Sequence, residues 1–341
     1  MNADVRVSVL VPMLDEADDI AGCIERIGAQ SYVRDGIEVV LIDAESTDGT
    51  VALAIDAAGA ARLHVVVVAN PDRRTSIGLN RGLAVASGMY VVRVDARSRI
   101  EPDYVERCVE TLSRRGDVGV VGGAQIATAR SGSVRDRSIA RALNNRWLTG
   151  LARYRRHVAS GPTDTVWMGA FRAAELRAIG GWNPQLGINE DYELNERYRA
   201  GGSIVWFDSV LRSGYLPRAR LRDLARQYAA FGRAKAARWI NGARPAPRHF
   251  ALVAMPPALA AATLGAAVVV GVLPVVIAAA LAAVAVELAG APSRAPLRVH
   301  AGALVANAVI AASWWWGVVA GCTRSVRTRG RSADTAVRPT R

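Results

Sequence analysis

Carboxylates that directly follow short apolar runs are the residues of this 341-residue chain best suited to chemistry. Asp15 and Glu16 follow Val5 to Val11, Asp43 follows Ile37 to Ile42, Asp95 follows Tyr90 to Val94, and Glu190 with Asp191 come much later. If the runs are parallel strands, these acids stand at carboxyl ends, where open α/β sheets bind ligands. A carboxylate there can accept from a base N–H or a ribose hydroxyl. Glu16 and Glu190 read equally well as helix acids favoured by the N-terminal dipole. If Glu190 opens a helix, Asp191, Leu194 and Tyr198 share one face, and Asp191 heads the face that turns inward. No G-x-G-x-x-G follows the first run and no G-x-x-x-x-G-K-[ST] occurs, so a bound nucleotide would have to be held by acids and backbone. His64, His157, His249 and His300 lack metal-ligand spacing, and no G-x-S-x-G is present. Cys23, Cys108 and Cys322 form no C-x-x-C, which argues against a disulfide framework or a zinc site.

The elements that must position these acids are legible as an alternation. Val5 to Val11, Ile37 to Ile42, His64 to Val68 and Tyr90 to Val94 read as strands with helical segments between them. That pattern predicts βαβ units and an α/β, Rossmann-like, mostly parallel sheet over residues 1–215. The stretch Ser46 to Thr50 supplies capping side chains for the second helix, and Gly88 marks where the third should stop.

Beyond Arg212 the composition changes. Arg218, Arg220, Arg222, Arg226, Arg233, Lys235 and Arg238 surround Leu221, Leu224, Tyr228 and Phe231 at helical spacing, which predicts a basic amphipathic interface helix over 216–249. Phe250 to Ala289 is almost wholly apolar, with Glu287 its one charge. As one helix it would reach about 60 Å, roughly twice a ~30 Å hydrocarbon core, so it must fold back, and Gly271 to Pro274 is the place. Val299 to Cys322 is a further candidate span, with Trp314, Trp315 and Trp316 suited to an interface. Residues 250–322 thus read as a transmembrane region of two or three segments, and 323–341 as a disordered basic tail. Three spans would put Arg324, Arg327, Arg329 and Arg331 opposite the α/β domain, against the positive-inside tendency if that domain is cytoplasmic. Either one segment is re-entrant or the charge rule fails here; the sequence leaves both open.

The net charge of +13 carries no nucleic-acid reading. Lys235 is the only lysine, the excess arginine sits beside apolar segments, and no nucleic-acid motif accompanies it.

VSVLVPMLDEADDI, VVLIDAESTDGT, NPDRRTSIGLNRGLAVASGMYVVRVDARSRIEPDYV and GAFRAAELRAIGGWNPQLGINEDYELNERYRAGG resemble, in order over about residues 5–235, the blocks of family 2 glycosyltransferases with the GT-A fold. They are most similar to the succinoglycan biosynthesis glucosyltransferase group, whose members also end in membrane segments. The resemblance implies a nucleotide-diphosphate sugar donor, a hydroxyl of a glycan or lipid-linked acceptor, and a seat at the cytoplasmic face of the inner membrane. Glu16 and Asp43 would hold the nucleoside, although Ala44 stands where the family often has a second acid. Asp95 opens the family's D-x-D motif, which holds Mg²⁺ or Mn²⁺ against the diphosphate; here it reads Asp95-Ala96-Arg97. The expected cation is then held by Asp95, the diphosphate and water, with Arg97 either against a phosphate oxygen or turned away as a structural residue. Arg73, Arg74 and Asn80 belong to a shared donor block, and arginine pairs with phosphate. Asp191 matches the aspartate of the E-D motif, the base that deprotonates the acceptor hydroxyl, with Glu190 and Trp167 shaping the acceptor side. With no second carboxylate as nucleophile, a single inverting displacement follows. Gln227, Arg238 and Trp239 resemble a processive Q-x-x-R-W element with the wrong spacing, so one sugar per encounter is expected. Charging of a polyprenyl phosphate, or a catalytically silent nucleotide binder, are the alternatives.

Overall fold

The computed structural model describes residues 6–32, 36–145, 152–155, 158–245, 249–250, 253–254, 258, 261–264, 272–290 and 295–335. They form two compact units, residues 1–128 with 152–216, and 129–151 with 217–341.

In the first unit, runs of Val, Leu and Ile form β1 (Val7–Met13) and β2 (Ile37–Asp43), buried along nearly their whole length. They pair in parallel with β3 (His64–Ala69) and β4 (Tyr90–Arg93) in the order β3-β2-β1-β4. Helices α1 (Ile20–Gly28), α2 (Thr50–Ala60) and α3 (Thr75–Val85) make the connections. Covering both faces of the sheet this way is what permits an uninterrupted apolar strand. The parallel alternation expected over this half is present, each strand within about two residues of its expected bounds.

The second half of the sheet is mixed. It contains β5 (Ser98–Ile100), β6 (Val118–Ala127), β7 (Gly161–Pro162), β8 (Trp167–Arg172) and β9 (Ile204–Tyr215). β8 runs antiparallel between β4 and β6, β6 and β9 are parallel, and β5 and β7 pair antiparallel with β9. Helices α4 (Tyr104–Arg114), α6 (Ala173–Ala178) and α7 (Glu190–Ala200) complete the unit, while α5 (Val134–Leu143) belongs to the other.

Two local expectations are revised. α3 stops at Val85, before Gly88, whose N–H instead donates to Ser8 Oγ at 2.8 Å. A Cβ at Gly88 would lie 2.6 Å from the Ser8 backbone nitrogen, so glycine serves close approach to β1 there. Of the stretch 46–50, the N-cap of α2 is a left-handed Gly49 with no side-chain cap, and Asp48 just before it accepts from Thr50 N at 3.1 Å.

In the second unit, α8 (Leu221–Ile240) is the expected basic helix, and it packs lengthwise on α10 (Leu297–Thr335). α5, an insert between β6 and β8, packs on the same helix, with Ser138 Oγ donating to Val299 O at 3.1 Å. The α/β unit is therefore not continuous over 1–215: residues 129–151 group with the second unit, where α5 packs on α10. α9 (Val272–Gly290) carries Glu287, which Arg141 of α5 pairs with, while Asn145 and Asn307 donate to its other oxygen at 3.4 and 3.3 Å. Among the described residues, Leu297–Thr323 is the one segment long and apolar enough to cross a membrane, by length and composition alone; Val275–Gly290 is apolar but shorter. Parts of the Phe250 to Ala289 run, including Gly271, lie outside the described residues. The tail expected to be disordered continues α10 as helical backbone to Thr335.

Candidate functional site

The loops after β1 and β2 are laced together by their own polar side chains. Asp15 N donates to Ser46 Oγ at 3.0 Å, Thr47 N to Asp15 Oδ1 at 2.9 Å, Glu16 N to Thr50 Oγ1 at 2.8 Å and Ala17 N to Asp48 Oδ2 at 3.0 Å. Asp15 and Glu45 adopt left-handed conformations, φ 49° and 62°. Hydrogen bonding by Thr50 and then by the Ala17 amide holds the Asp48 carboxyl below the usual carboxylate range. Asp43 turns back onto this loop, accepting from Ser46 N at 3.2 Å. Glu16 and Asp43 thus flank one loop pair, and the Glu16 carboxylate is met by Arg97 Nε at 3.2 Å, both side chains largely buried.

β4 delivers two charged residues from an otherwise valine-lined strand end. Arg93 Nε donates to Asp95 Oδ1 at 2.7 Å, and its Nη1 donates to Glu190 Oε1 at 2.9 Å. Arg93 is 9% exposed and Glu190 6%. Burial works against the Arg93 charge, but Asp95, Glu190 and Asp191 outweigh it and raise its pKa. Burial, abetted by the Asp191 charge, raises the Glu190 carboxyl against the pull of Arg93. Behind Asp95, Met168, itself left-handed at φ 50°, accepts from the Asp95 N–H at 3.3 Å and the Ser98 hydroxyl at 3.0 Å. Burial, then the Asp95 charge, pushes the adjacent Cys23 thiol up to about 12, so it is no nucleophile at neutral pH.

α7 begins after Asn189, which is held left-handed at φ 63°. Glu190 points inward to Arg93, whereas Asp191 is partly exposed and accepts from Tyr192 N at 2.8 Å. The buried acid of the pair is therefore Glu190, and Asp191 is only partly buried. Leu194 and Tyr198 form the buried face below.

The remaining expected residues divide. Arg73 pairs with Glu45 at 3.2 Å on the exposed rim, beside the β2 loop. Arg74 donates to Pro184 O at 3.2 Å. Asn80 is committed to the chain preceding α7, donating to Trp182 O at 2.6 Å and accepting from Trp182 N at 2.8 Å. Its amide thus shapes that loop and has little left for a donor. Trp167 packs edge-on against Tyr215 at 5.9 Å. Sequence reasoning passed over Arg93 and Met168. The signal for Arg93 was present: a charge inside the run YVVRV needs buried partners.

Among the described residues no group of three His, Cys, Asp or Glu is placed to hold a metal by itself. Asp95 nonetheless fits a cation that arrives with a diphosphate, because Oδ1 is taken by Arg93 while no hydrogen bond to Oδ2 occurs among the described residues. Charge balance points the same way. Five carboxylates, Glu16, Asp43, Asp95, Glu190 and Asp191, gather here, with Arg93 paired to Asp95 and Glu190 and Arg97 to Glu16, so an anionic ligand brings more charge of the same sign.

A parallel sheet continued by a mixed half, with acids at the strand ends and a helix N-terminus beside them, defines the GT-A fold. The chain belongs to the family 2 glycosyltransferases: residues 8–176 match the family described as Glycosyl transferase family 2. The succinoglycan biosynthesis protein ExoA of Rhizobium meliloti is 30% identical over 252 residues, covering 73% of this chain and 75% of that one. A dolichyl N-acetyl-glucosaminyl phosphate diacetamido-dideoxy-glucuronosyltransferase of Methanococcus voltae is 20% identical over 67% of this chain and 72% of its own. Among solved structures, the mannosyltransferase PcManGT of Pyrobaculum calidifontis, in complex with GDP-Man and Mn²⁺, superposes with a TM-score of 0.64 at 23% identity, covering 93% of this chain and 86% of that one.

Proposed function

We propose that this glycosyltransferase moves a hexose-type sugar from a nucleotide-diphosphate donor onto a hydroxyl of a lipid-linked glycan, with inversion, at the cytoplasmic face of the inner membrane. Glu16 and Asp43 bind the nucleoside, and Asp95 binds the diphosphate end together with a divalent cation. When bound, that cation offsets charge on the leaving diphosphate. Arg97 lies beside Glu16, and Arg73 and Arg74 line the rim, where guanidinium groups can meet phosphate oxygens. Asp191 takes the proton from the acceptor hydroxyl as that oxygen attacks the anomeric carbon. The carrying observation is that Asp191, partly exposed in the first turn of α7, adjoins Glu190, which is tied through Arg93 to Asp95. One guanidinium thus links the donor carboxylate to the residue next to the proposed base.

The test is Asp191→Asn in membranes supplied with a panel of nucleotide sugars. Transfer should fall at least ~1,000-fold while nucleotide affinity stays within about threefold, since the base acts in the transition state. Turnover above a tenth of the original would remove Asp191 from this role. Product analysis decides the acceptor: an extended lipid-linked oligosaccharide supports the proposal, and a single sugar on polyprenyl phosphate replaces it.

A further inference from the structure

We infer that Arg93 is a positioning residue that sets the separation between the donor carboxylate and the acceptor base, a role resting on the assignments of Asp95 and Asp191 just proposed. Its guanidinium is buried and bridges two elements, holding Asp95 at the end of β4 through Nε and Glu190 at the first turn of α7 through Nη1. Neither carboxylate is on a neighbouring strand of the other. α7 packs on β6, β8 and β9, and β8 lies next to β4 in the sheet, so the Arg93 bridge is a direct side-chain tie between the end of β4 and the first turn of α7. The loop before α7 already carries a left-handed Asn189, whose side-chain nitrogen is buried without a hydrogen-bond partner. Such backbone persists only where surrounding contacts over-determine it. Arg93 supplies one such contact at the residue adjoining Asp191. The planar fork is what the task requires, since two divergent N–H groups of fixed angle can hold two carboxylates at once and an ammonium cannot reproduce that geometry.

A second consequence follows for the cation. Because Asp95 Oδ1 is occupied by Arg93, the protein presents only part of a carboxylate to a metal, so cation affinity before donor binding is suppressed. Removing Arg93 should tighten it.

The experiment compares full-length Arg93→Lys, Arg93→Ala and Asp191→Asn, all in detergent. It measures kcat, donor KM, binding of labelled UDP and GDP, and binding of Mn²⁺ alone by electron paramagnetic resonance. In Arg93→Lys, kcat should fall ~100-fold, the cost of a misplacement near 1 Å, with KM and nucleotide affinity within about threefold. In Arg93→Ala, millimolar guanidinium should restore kcat about tenfold or more while methylammonium does not, and Mn²⁺ should bind about tenfold tighter without donor. An Arg93→Lys enzyme with kcat within threefold of the original overturns the inference. So does a parallel loss of thermal stability, nucleotide binding and kcat, which would mark Arg93 as scaffold only. If Arg93→Ala fails to fold, Arg93→Lys alone decides by the same criteria. Full activity in Asp191→Asn would instead overturn the base assignment, whatever the arginine variants do.

Discussion

Arg97 occupies the position where a second metal-binding acid is expected, and its guanidinium is turned to Glu16 at 3.2 Å. The pair joins the loop after β1 to the end of β4, so the residue that departs from the motif is partnered by Glu16, the proposed nucleoside ligand. On the proposed assignment a cation would have Asp95 as its protein ligand, and a single carboxylate holds Mg²⁺ weakly unless phosphate oxygens complete the shell. Transfer should therefore fall about tenfold or more in excess chelator and return with Mn²⁺. In Arg97→Asp the metal concentration for half-maximal rate should drop. Unchanged activity of the native enzyme in chelator would dismiss the cation and leave Arg97 as neutraliser of the leaving diphosphate.

At the scale of elements, α8 and α10 approach closely because both carry small residues where they cross. A Cβ at Gly317 would sit 2.2 Å from Ala229 O, and one at Gly232 would sit 2.1 Å from Trp314 O. Small residues that let helix backbones touch are a means of association both in water and in lipid. Gly317→Leu should force the helices apart and lower the thermal midpoint of the second unit by several degrees, equivalent to about 2 kcal/mol or more, read by differential scanning calorimetry in detergent. A midpoint unchanged within a degree would mean that this crossing contributes nothing to stability. The spacing Gly317 to Gly321 was visible in sequence, but its partner on α8 was not, because 85 residues separate Gly232 from Gly317.

At the scale of the whole chain, α9 leaves Val276, Ile277, Leu281 and Leu288 more than half exposed, and Leu297 and Trp316 of α10 likewise. Exposed apolar surface of that extent is a cost in water and none in hydrocarbon. Glu287, the one charge in the apolar run, is fully buried against Arg141, as a charge withdrawn from solvent requires. The protein should therefore fractionate with membranes and stay there through alkaline carbonate. Release into a detergent-free supernatant would refute insertion and make the exposed face a protein contact instead.

The sequence by itself determined the parallel half of the sheet and the acids at its strand ends. Strand period and helix signals are local, and β-branched runs followed by Asp15, Glu16, Asp43 and Asp95 sit within a few residues of one another. It also determined the basic helix and the apolar C-terminal segments, whose character is compositional. Only the tertiary structure decided what each acid meets. Arg93 and Glu190 are 97 residues apart, and the fold alone brings their side chains to 2.9 Å. The same holds for α5, which the sequence assigned to the α/β domain. Nothing local to 134–143 says that Ser138 will meet Val299 and Gly302 or that Arg141 will meet Glu287, because a long-range contact depends on chain path and not on the pattern of either segment.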